Sequence, residues 1–421
     1  MKNLTLSAVA AAVAIATAGP APAIAADNLD ALRRTVETLQ KQLQEVQQQL
    51  KAQEEKSASK EEVEKIRKEV ASASEWKEPN TLIHMAGYAD VDYMKKQGED
   101  GSFTVGSFSP IFHFQYRDLV MLESELEFEV ADTGETEVGL EYLTIDLFLN
   151  DYATLVAGKF LSPIGQFRQN LHPSWINKMA SAPPGFGHDG AAPVSDTGLQ
   201  LRGGFPIAGV RTNYAVYAGN GPELNAETGD GVEFELEGVR AEGFGADNDG
   251  EIVYGGRFGI LPVAGLEVGL SGLTGKATVT ELEVDPSVLT PPTLASEGKR
   301  DYDVFGADFN LQYRSFGLRG EYVKTRVGST SKGTAASPGA RWTTWYTQAS
   351  YRFLPTKWEA VLRYTDFDSA VDLQDQTQWG VGINYLFTNN FIAKLNYEFN
   401  DNDLGSEADD NRVLGQLAYG F

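Results

Sequence analysis

The chain has 421 residues, no cysteine and a formal net charge of −24 at pH 7. The missing cysteines exclude disulfides and thiolate metal sites, and the strong negative charge argues against nucleic acid as a partner. Glycine (43 residues) and aromatic residues (17 Tyr, 22 Phe and 6 Trp) are abundant. Beyond the N-terminus, no apolar run approaches the ~20 residues of a transmembrane helix. This composition is typical of a membrane β-barrel.

Residues 1–25 predict a secretory signal peptide. Lys2 supplies the positive end, residues 4–18 form an alanine-rich apolar run, and 23–25 read as a small-x-small cleavage site. The alternative is an N-terminal membrane anchor, which fits less well because the apolar run is short for a ~20-residue span. We therefore expect an exported protein.

Residues 26–75 predict a coiled coil. Apolar residues alternate at spacings of three and four, which is a heptad seam. They are Leu29, Leu32, Val36, Leu39, Leu43, Val46 and Leu50, followed after the polar stretch 57–60 by Val63, Ile66, Val70 and Ala73. A helix with such a stripe cannot bury it alone, so the pattern favours self-association. The alternative is a single helix lying on the next domain, to which residues 76–81 form a linker.

From residue 82 the apolar period becomes two, which predicts strands. The predicted strands span 82–95, 103–117, 119–130, 137–149, 151–160, 197–205, 210–219, 251–261, 265–278, 301–314, 316–327, 342–353, 357–367, 378–387, 391–400 and 411–421. Their connections alternate between short turns and long polar loops. An even strand number with this alternation predicts an all-β membrane fold, in which residues 82–421 form a sixteen-stranded antiparallel transmembrane β-barrel preceded by the helical coiled coil. Both ends of the barrel domain would then face the periplasm.

Aromatic residues near the strand ends suit the girdles that barrels place at the two membrane interfaces. They include Tyr116, Tyr152, Trp342, Trp358, Phe387, Tyr419 and Phe421.

The stretch 161–196 has no sustained period, although strands flank it on both sides. An irregular insert of this length is uncommon and usually functional. We expect it to fold into the lumen as a constriction loop. Its polar groups most able to reach a permeating solute are Arg168, His172, Lys178, His188 and Asp189. The alternative for each is a salt bridge that fixes the loop.

The passage 158–165 (GKFLSPIG), the return strand 198–201 (GLQL), the signal peptide and the heptads together resemble the phosphate-selective porin O/P family of Gram-negative outer membranes. The resemblance implies a sixteen-stranded barrel, a homotrimer and passive diffusion of small hydrophilic solutes, with no cofactor. It places Lys159, at the start of this passage, among the pore-lining residues. Anion-selective members line their pores with arginine and lysine ladders. An anion such as phosphate, a sugar or a dicarboxylate is the substrate-specific alternative to general diffusion.

Strand parity predicts further side chains that face the lumen, because a charge facing lipid at the bilayer midplane costs ~2–4 kcal/mol. The basic ones are Arg202, Arg211, Arg257, Arg314, Arg319, Arg352, Arg363 and Lys394. The acidic ones are Asp90, Asp92, Glu123, Glu125, Glu127, Glu129, Asp308 and Glu321. Most acids of the early strands and most arginines of the later ones would lie on different walls and set a transverse field. The alternative is that these charges pair and solvate a wide lumen.

Other functions find less support in the sequence. The acidic stretch 220–251 is most simply a solvated surface loop, and calcium binding is only weakly indicated because the spacing of a known calcium loop is missing. No Gly-x-Ser-x-Gly motif accompanies the four histidines, so we expect no enzyme. The rival to a channel is structural, namely a barrel that tethers the outer membrane to peptidoglycan through its coiled coil. The expected partners are outer-membrane lipid, small hydrophilic solutes and two further copies of the chain, with peptidoglycan as the partner in the structural alternative.

Overall fold

A computed structural model describes residues 80–131, 133–187, 191–228, 234–241, 247–283, 297–332, 338–402 and 409–421. The predicted signal peptide, the coiled coil and residues 76–79 of the linker lie outside the described residues, and so do His188 and Asp189. Within the described ranges, no helix is both long and apolar enough to cross a membrane.

Among the described residues, sixteen long antiparallel strands form a closed barrel, which confirms the barrel part of the predicted fold class. They are β1 (Thr81–Lys96), β2 (Ser102–Tyr116), β3 (Val120–Val130), β4 (Thr136–Asn150), β5 (Ala153–Leu161), β6 (Ser195–Gly203), β8 (Val210–Asn220), β11 (Ile252–Val263), β12 (Leu266–Ala277), β14 (Arg300–Tyr313), β15 (Phe316–Val327), β16 (Ala340–Arg352), β17 (Trp358–Asp368), β18 (Gln376–Leu386), β19 (Phe391–Asp401) and β20 (Arg412–Gly420). A two-residue strand, β7 (Pro206–Ile207), sits in the turn before β8. The barrel closes where β1 pairs with β20, from Tyr88 opposite Gly420 to Lys96 opposite Arg412. Each predicted strand ends within two residues of an observed one.

The period of two sorts the side chains between the outer face and the lumen. In β19, Leu395 and Phe399 point outward with 56% and 50% of their surface exposed, whereas the intervening Lys394 and Glu398 are buried. The polar face is buried although a barrel lumen is normally wet. The reason is that residues 162–187 and 191–194 fold into the lumen and cover it. Together they are called the loop 162–194 below.

A second, small sheet lies in the long loops. It consists of β9 (Glu223–Thr228), β10 (Phe234–Arg240) and β13 (Val279–Glu283), with β10 antiparallel and β13 parallel to β9. Leu224, Ala226 and Val239 bury their side chains in it. The interpretation of 220–251 as only a solvated loop is therefore wrong. The alternating apolar residues of β9 stand among many acidic residues in the sequence. The strand pairs with β13, which lies more than 50 residues further along the chain.

Two further predictions need correction. Trp342 is not part of an interfacial girdle, because it faces inward from β16 and is completely buried. Arg314 does not point into the lumen from a strand. It lies in the turn between β14 and β15 with a positive φ of 54°, and its guanidinium stacks on the Tyr313 ring.

Candidate functional site

The loop 162–194 is anchored where it leaves β5. The Gly165 amide donates to Ser271 Oγ at 3.2 Å, the Gln166 amide to Glu321 Oε2 at 2.9 Å, and the Gln166 side chain to Asp308 Oδ1 at 3.0 Å. Gly165 has φ +74°, and a Cβ there would overlap the Glu321 carboxylate, so glycine is required at this approach. These contacts carry the chain across the lumen to strands β12, β14 and β15.

A five-residue π-helix, Phe167–Leu171, follows the anchor. Phe167 and Phe186, from the two arms of the loop, pack edge-to-face on Tyr346 with ring centroids 6.4 Å and 5.1 Å away. All three rings are buried. Edge-to-face aromatic pairs prefer centroid separations of about 4.5–7 Å, so this cluster fixes both arms of the loop against β16.

The far part of the loop is tied to β19 and β17 by buried charges. Lys394 Nζ donates to the Met179 carbonyl at 3.1 Å, and Arg363 donates to the Ser181 carbonyl at 2.8 Å. The Arg363 guanidinium also pairs with Glu398 at 3.2 Å, and neither side chain is exposed. Arginine and lysine here donate to carbonyls of the buried loop, which lies away from water.

Two more of the predicted site residues also hold the loop. Lys178 forms a salt bridge with Glu359 of β17 at 3.1 Å. Arg319 of β15 donates to Asn177 Oδ1 at 3.2 Å. For Lys178, the geometry therefore agrees with the alternative given above, in which the charged loop residue forms a salt bridge that fixes the loop.

The π-helix separates two cavities inside the barrel. The cavity toward the short turns measures about 740 Å³. Its charged and aromatic lining residues are Glu123, Tyr142, Phe160, Arg202, Tyr214, Arg257 and Glu267. The cavity toward the long loops measures about 200 Å³ and is lined by Glu127, Glu129, Glu141, Arg168 and His172, among others. A solute that crosses the barrel along this side has to pass between the π-helix and the wall of β3 and β4.

The narrow region between the cavities is acidic. Glu125 is buried, accepts a hydrogen bond of 2.8 Å from Tyr88 Oη and lies 3.9 Å from His172 Nε2. The His172 Nδ1 meets the Arg168 carbonyl, which fixes the ring at the end of the π-helix. The loop thus presents one arginine and one histidine to a wall of glutamates.

The arginines that line the larger cavity are paired. Arg257 contacts Asp308 at 2.6 Å and Glu267 at 3.1 Å, and Arg202 contacts Asp146 at 2.5 Å. By contrast, three carboxylates of the smaller cavity form no salt bridge with any described residue. They are Glu127, Glu129 and Glu141.

The structure places the remaining predicted residues as follows. Arg211 is exposed at the start of β8. Lys159 does not point into the lumen. Its cross-strand neighbours are Leu143 and Thr197, which lie on the outer face of the barrel. Its Nζ donates to the Leu140 carbonyl. The inward position next to it is taken by the buried Phe160.

Sequence reasoning missed Glu141 as a lining residue. Leu143 faces outward, so simple alternation puts Glu141 outward as well. The register between β3 and β4 shifts at Glu125/Leu126, whose partners are Tyr142 and Leu140. This β-bulge turns Glu141 into the lumen beside Tyr142. The sequence around Glu141 contains no pattern that predicts this β-bulge.

Residues 285–421, about the last third of the chain, match the family model of phosphate-selective porin O and P. The fold is similar to that of the anion-selective porin from Comamonas acidovorans, with 14% identity, a TM-score of 0.55, and coverage of 81% of this chain and 100% of that one. The described barrel has the fold of this solved porin.

Two further solved structures share the fold of this barrel. They are the trimer form of OmpT from Vibrio cholerae (13% identity, TM-score 0.52, 81% of this chain and 99% of that one) and OmpF of Salmonella typhi in a complex with daunomycin (13%, 0.53, 81% and 98%). No curated protein matches the chain.

Proposed function

We propose that this chain is an outer-membrane porin, a loop-constricted diffusion channel that favours cations over anions. The observation that carries the proposal is the charge around the passage beside the π-helix. Glu127, Glu129 and Glu141 line it without salt bridges to described residues, whereas Arg202 and Arg257 are neutralised by carboxylates.

The physical reason is that a cleft lined by one sign of charge, with walls of low dielectric constant, concentrates the counter-ion. Rings of Asp or Glu select cations in channels, and rings of Arg or Lys select anions. Arg168 and His172 lie opposite the glutamates. Their positive charge would weaken the preference for cations without reversing it. A neutral hydrophilic solute small enough for the gap would pass as well.

The family description and the Comamonas porin suggest an anion instead, phosphate above all. An anion pathway requires a row of cationic groups that are available to the solute. In this chain Arg363, Lys394 and Lys178 hold the loop. We therefore rank phosphate selectivity as the second candidate.

The reversal potential of the full porin in planar bilayers under a KCl gradient distinguishes the two. We expect the sign that indicates K⁺ preference. The variant E127Q/E129Q/E141Q should lose most of that preference. The control D301N/D303N removes two acids from the outward face of β14 and should leave the potential unchanged. A wild-type potential that indicates Cl⁻ preference would overturn the proposal.

We further propose that the mature porin is a homotrimer with its coiled coil, residues 26–75, in the periplasm. The regular heptad seam from Leu29 to Leu50 supports self-association, and one structure of similar fold is a trimer form. The tether to peptidoglycan is the alternative role for the same segment.

A further inference from the structure

Two histidines face each other across adjacent strands near the short-turn end of the lumen. His84 of β1 and His113 of β2 occupy directly paired positions. Their Nδ1 atoms are 3.2 Å apart, and the ring centroids are separated by 5.4 Å with planes tilted by 34°. Neither histidine holds the loop in place, and neither lines the passage beside the π-helix.

The separation of the two nitrogens suits a shared metal ion. Imidazole nitrogens bind Zn²⁺ at ~2.0–2.1 Å in tetrahedral geometry, which puts two such nitrogens about 3.3 Å apart. Imidazole is a preferred ligand of zinc, copper and nickel. Because the two residues are opposite each other on paired strands, the backbone holds the two side chains next to each other before any ion arrives.

The surroundings of His113 match those of a metal ligand. Its Nε2 lies 3.3 Å from Glu123 Oε1, which also accepts a hydrogen bond of 3.2 Å from Tyr142 Oη. A histidine that binds a metal through one nitrogen usually donates its other N–H to a carboxylate, which fixes the tautomer and orients the ring. Glu123 holding the proton on Nε2 leaves the Nδ1 lone pair directed at His84.

We propose that His84 and His113 bind one divalent transition-metal ion of the Zn²⁺, Ni²⁺ or Cu²⁺ type through their Nδ1 atoms, with Glu123 as a positioning residue. Among the described residues, no group of three or more His, Asp or Glu side chains surrounds one point, so water completes the coordination. Both histidines are solvent-accessible, and Glu123 lines the 740 Å³ cavity. The site therefore opens onto the lumen.

Isothermal titration calorimetry of the full porin, purified without a histidine tag and treated with chelator, tests the site with Zn²⁺ and Ni²⁺ separately. We expect one ion per chain. H84N and H113N should each weaken binding by tenfold or more, and E123Q should weaken it by about 10–100-fold, the usual effect of losing such a carboxylate. The matched control is H172N, which removes the loop histidine and should leave the affinity unchanged.

Electron paramagnetic resonance of bound Cu²⁺ gives a second measurement. Two equatorial nitrogens are expected in the wild type, and one in either histidine variant that still migrates as a folded barrel. The proposal is overturned if the wild type binds no ion, if both single variants bind as tightly as the wild type, or if the Cu²⁺ spectrum shows no nitrogen ligand.

Discussion

Arg363 shows how one buried charge can join two parts of the molecule. Its guanidinium contacts Glu398 of β19, Gln378 of β18 and Ser181 of the loop, and none of its side chain is exposed. Burying an ion pair is costly, and such a pair is tolerated when further hydrogen bonds satisfy both partners. Arg363 therefore stabilises the closed position of the loop more than it attracts solutes.

Replacing Arg363 with Ala should destabilise the folded barrel by about 3 kcal/mol. The variant leaves Glu398 with Arg412 as its remaining ion-pair partner and the Ser181 carbonyl with the Asn177 side-chain amide as its remaining donor. Urea unfolding in detergent measures the change in unfolding free energy. The control is R341A, whose pair with Asp368 is exposed and should cost less than about 1 kcal/mol. Equal losses in the two variants would contradict the structural role of Arg363.

Side-chain direction could be predicted from sequence wherever a strand is regular. Parity alone places Arg202, Arg257 and Glu123 in the lumen, since the cost of a lipid-facing charge leaves no other choice. It fails at Glu141, where a β-bulge changes the register. It could not show that Arg363 binds the loop, because that contact joins residues about 180 positions apart.

The loop is the element that determines the width of the passage. It contains little regular structure, and its position depends on anchors at both ends and on the aromatic cluster in the middle. The sequence indicates an unusual insert but not its path. That path is set by tertiary contacts such as Gln166 with Glu321 and Phe186 with Tyr346.

Replacing Phe186 with Ala should loosen the loop while the barrel stays closed. The buried ring packs on Tyr346 and Phe167, and losing a buried phenylalanine costs about 3–5 kcal/mol. Single-channel recordings should show a larger and more variable conductance than in the wild type. The control F305A removes an outward ring from β14 and should leave the conductance unchanged. A steady, wild-type conductance in F186A would show that the cluster does not position the loop.

On the scale of the whole molecule, the outer surface differs between the two halves of the barrel. The later strands carry an aromatic band toward the long loops, with neighbouring rings in contact. It contains Phe305, Tyr322, Trp345, Tyr364, Trp379, Tyr397 and Phe399. The outward positions of β4, β5 and β6 from Val138 to Leu201 are aliphatic, small or polar instead, with Ala157 at the centre and Lys159 beside it. Aromatic bands mark surfaces that meet the membrane interface, so we expect this bare face to contact another copy of the chain.

Because the chain has no native cysteine, a single introduced cysteine reports cleanly on this face. A spin label on A157C should show low accessibility to oxygen dissolved in the bilayer. The matched label on A393C, at an outward position of β19, should show high accessibility because that strand faces lipid.

Deleting residues 27–75 then separates the two roles of the predicted coiled coil. If Ala157 stays shielded without it, the barrel wall alone holds the copies together and the segment is free to act as a tether. If the shielding is lost, the segment is an assembly device. Equal oxygen accessibility at both positions in the full chain would contradict an interface on β4–β6.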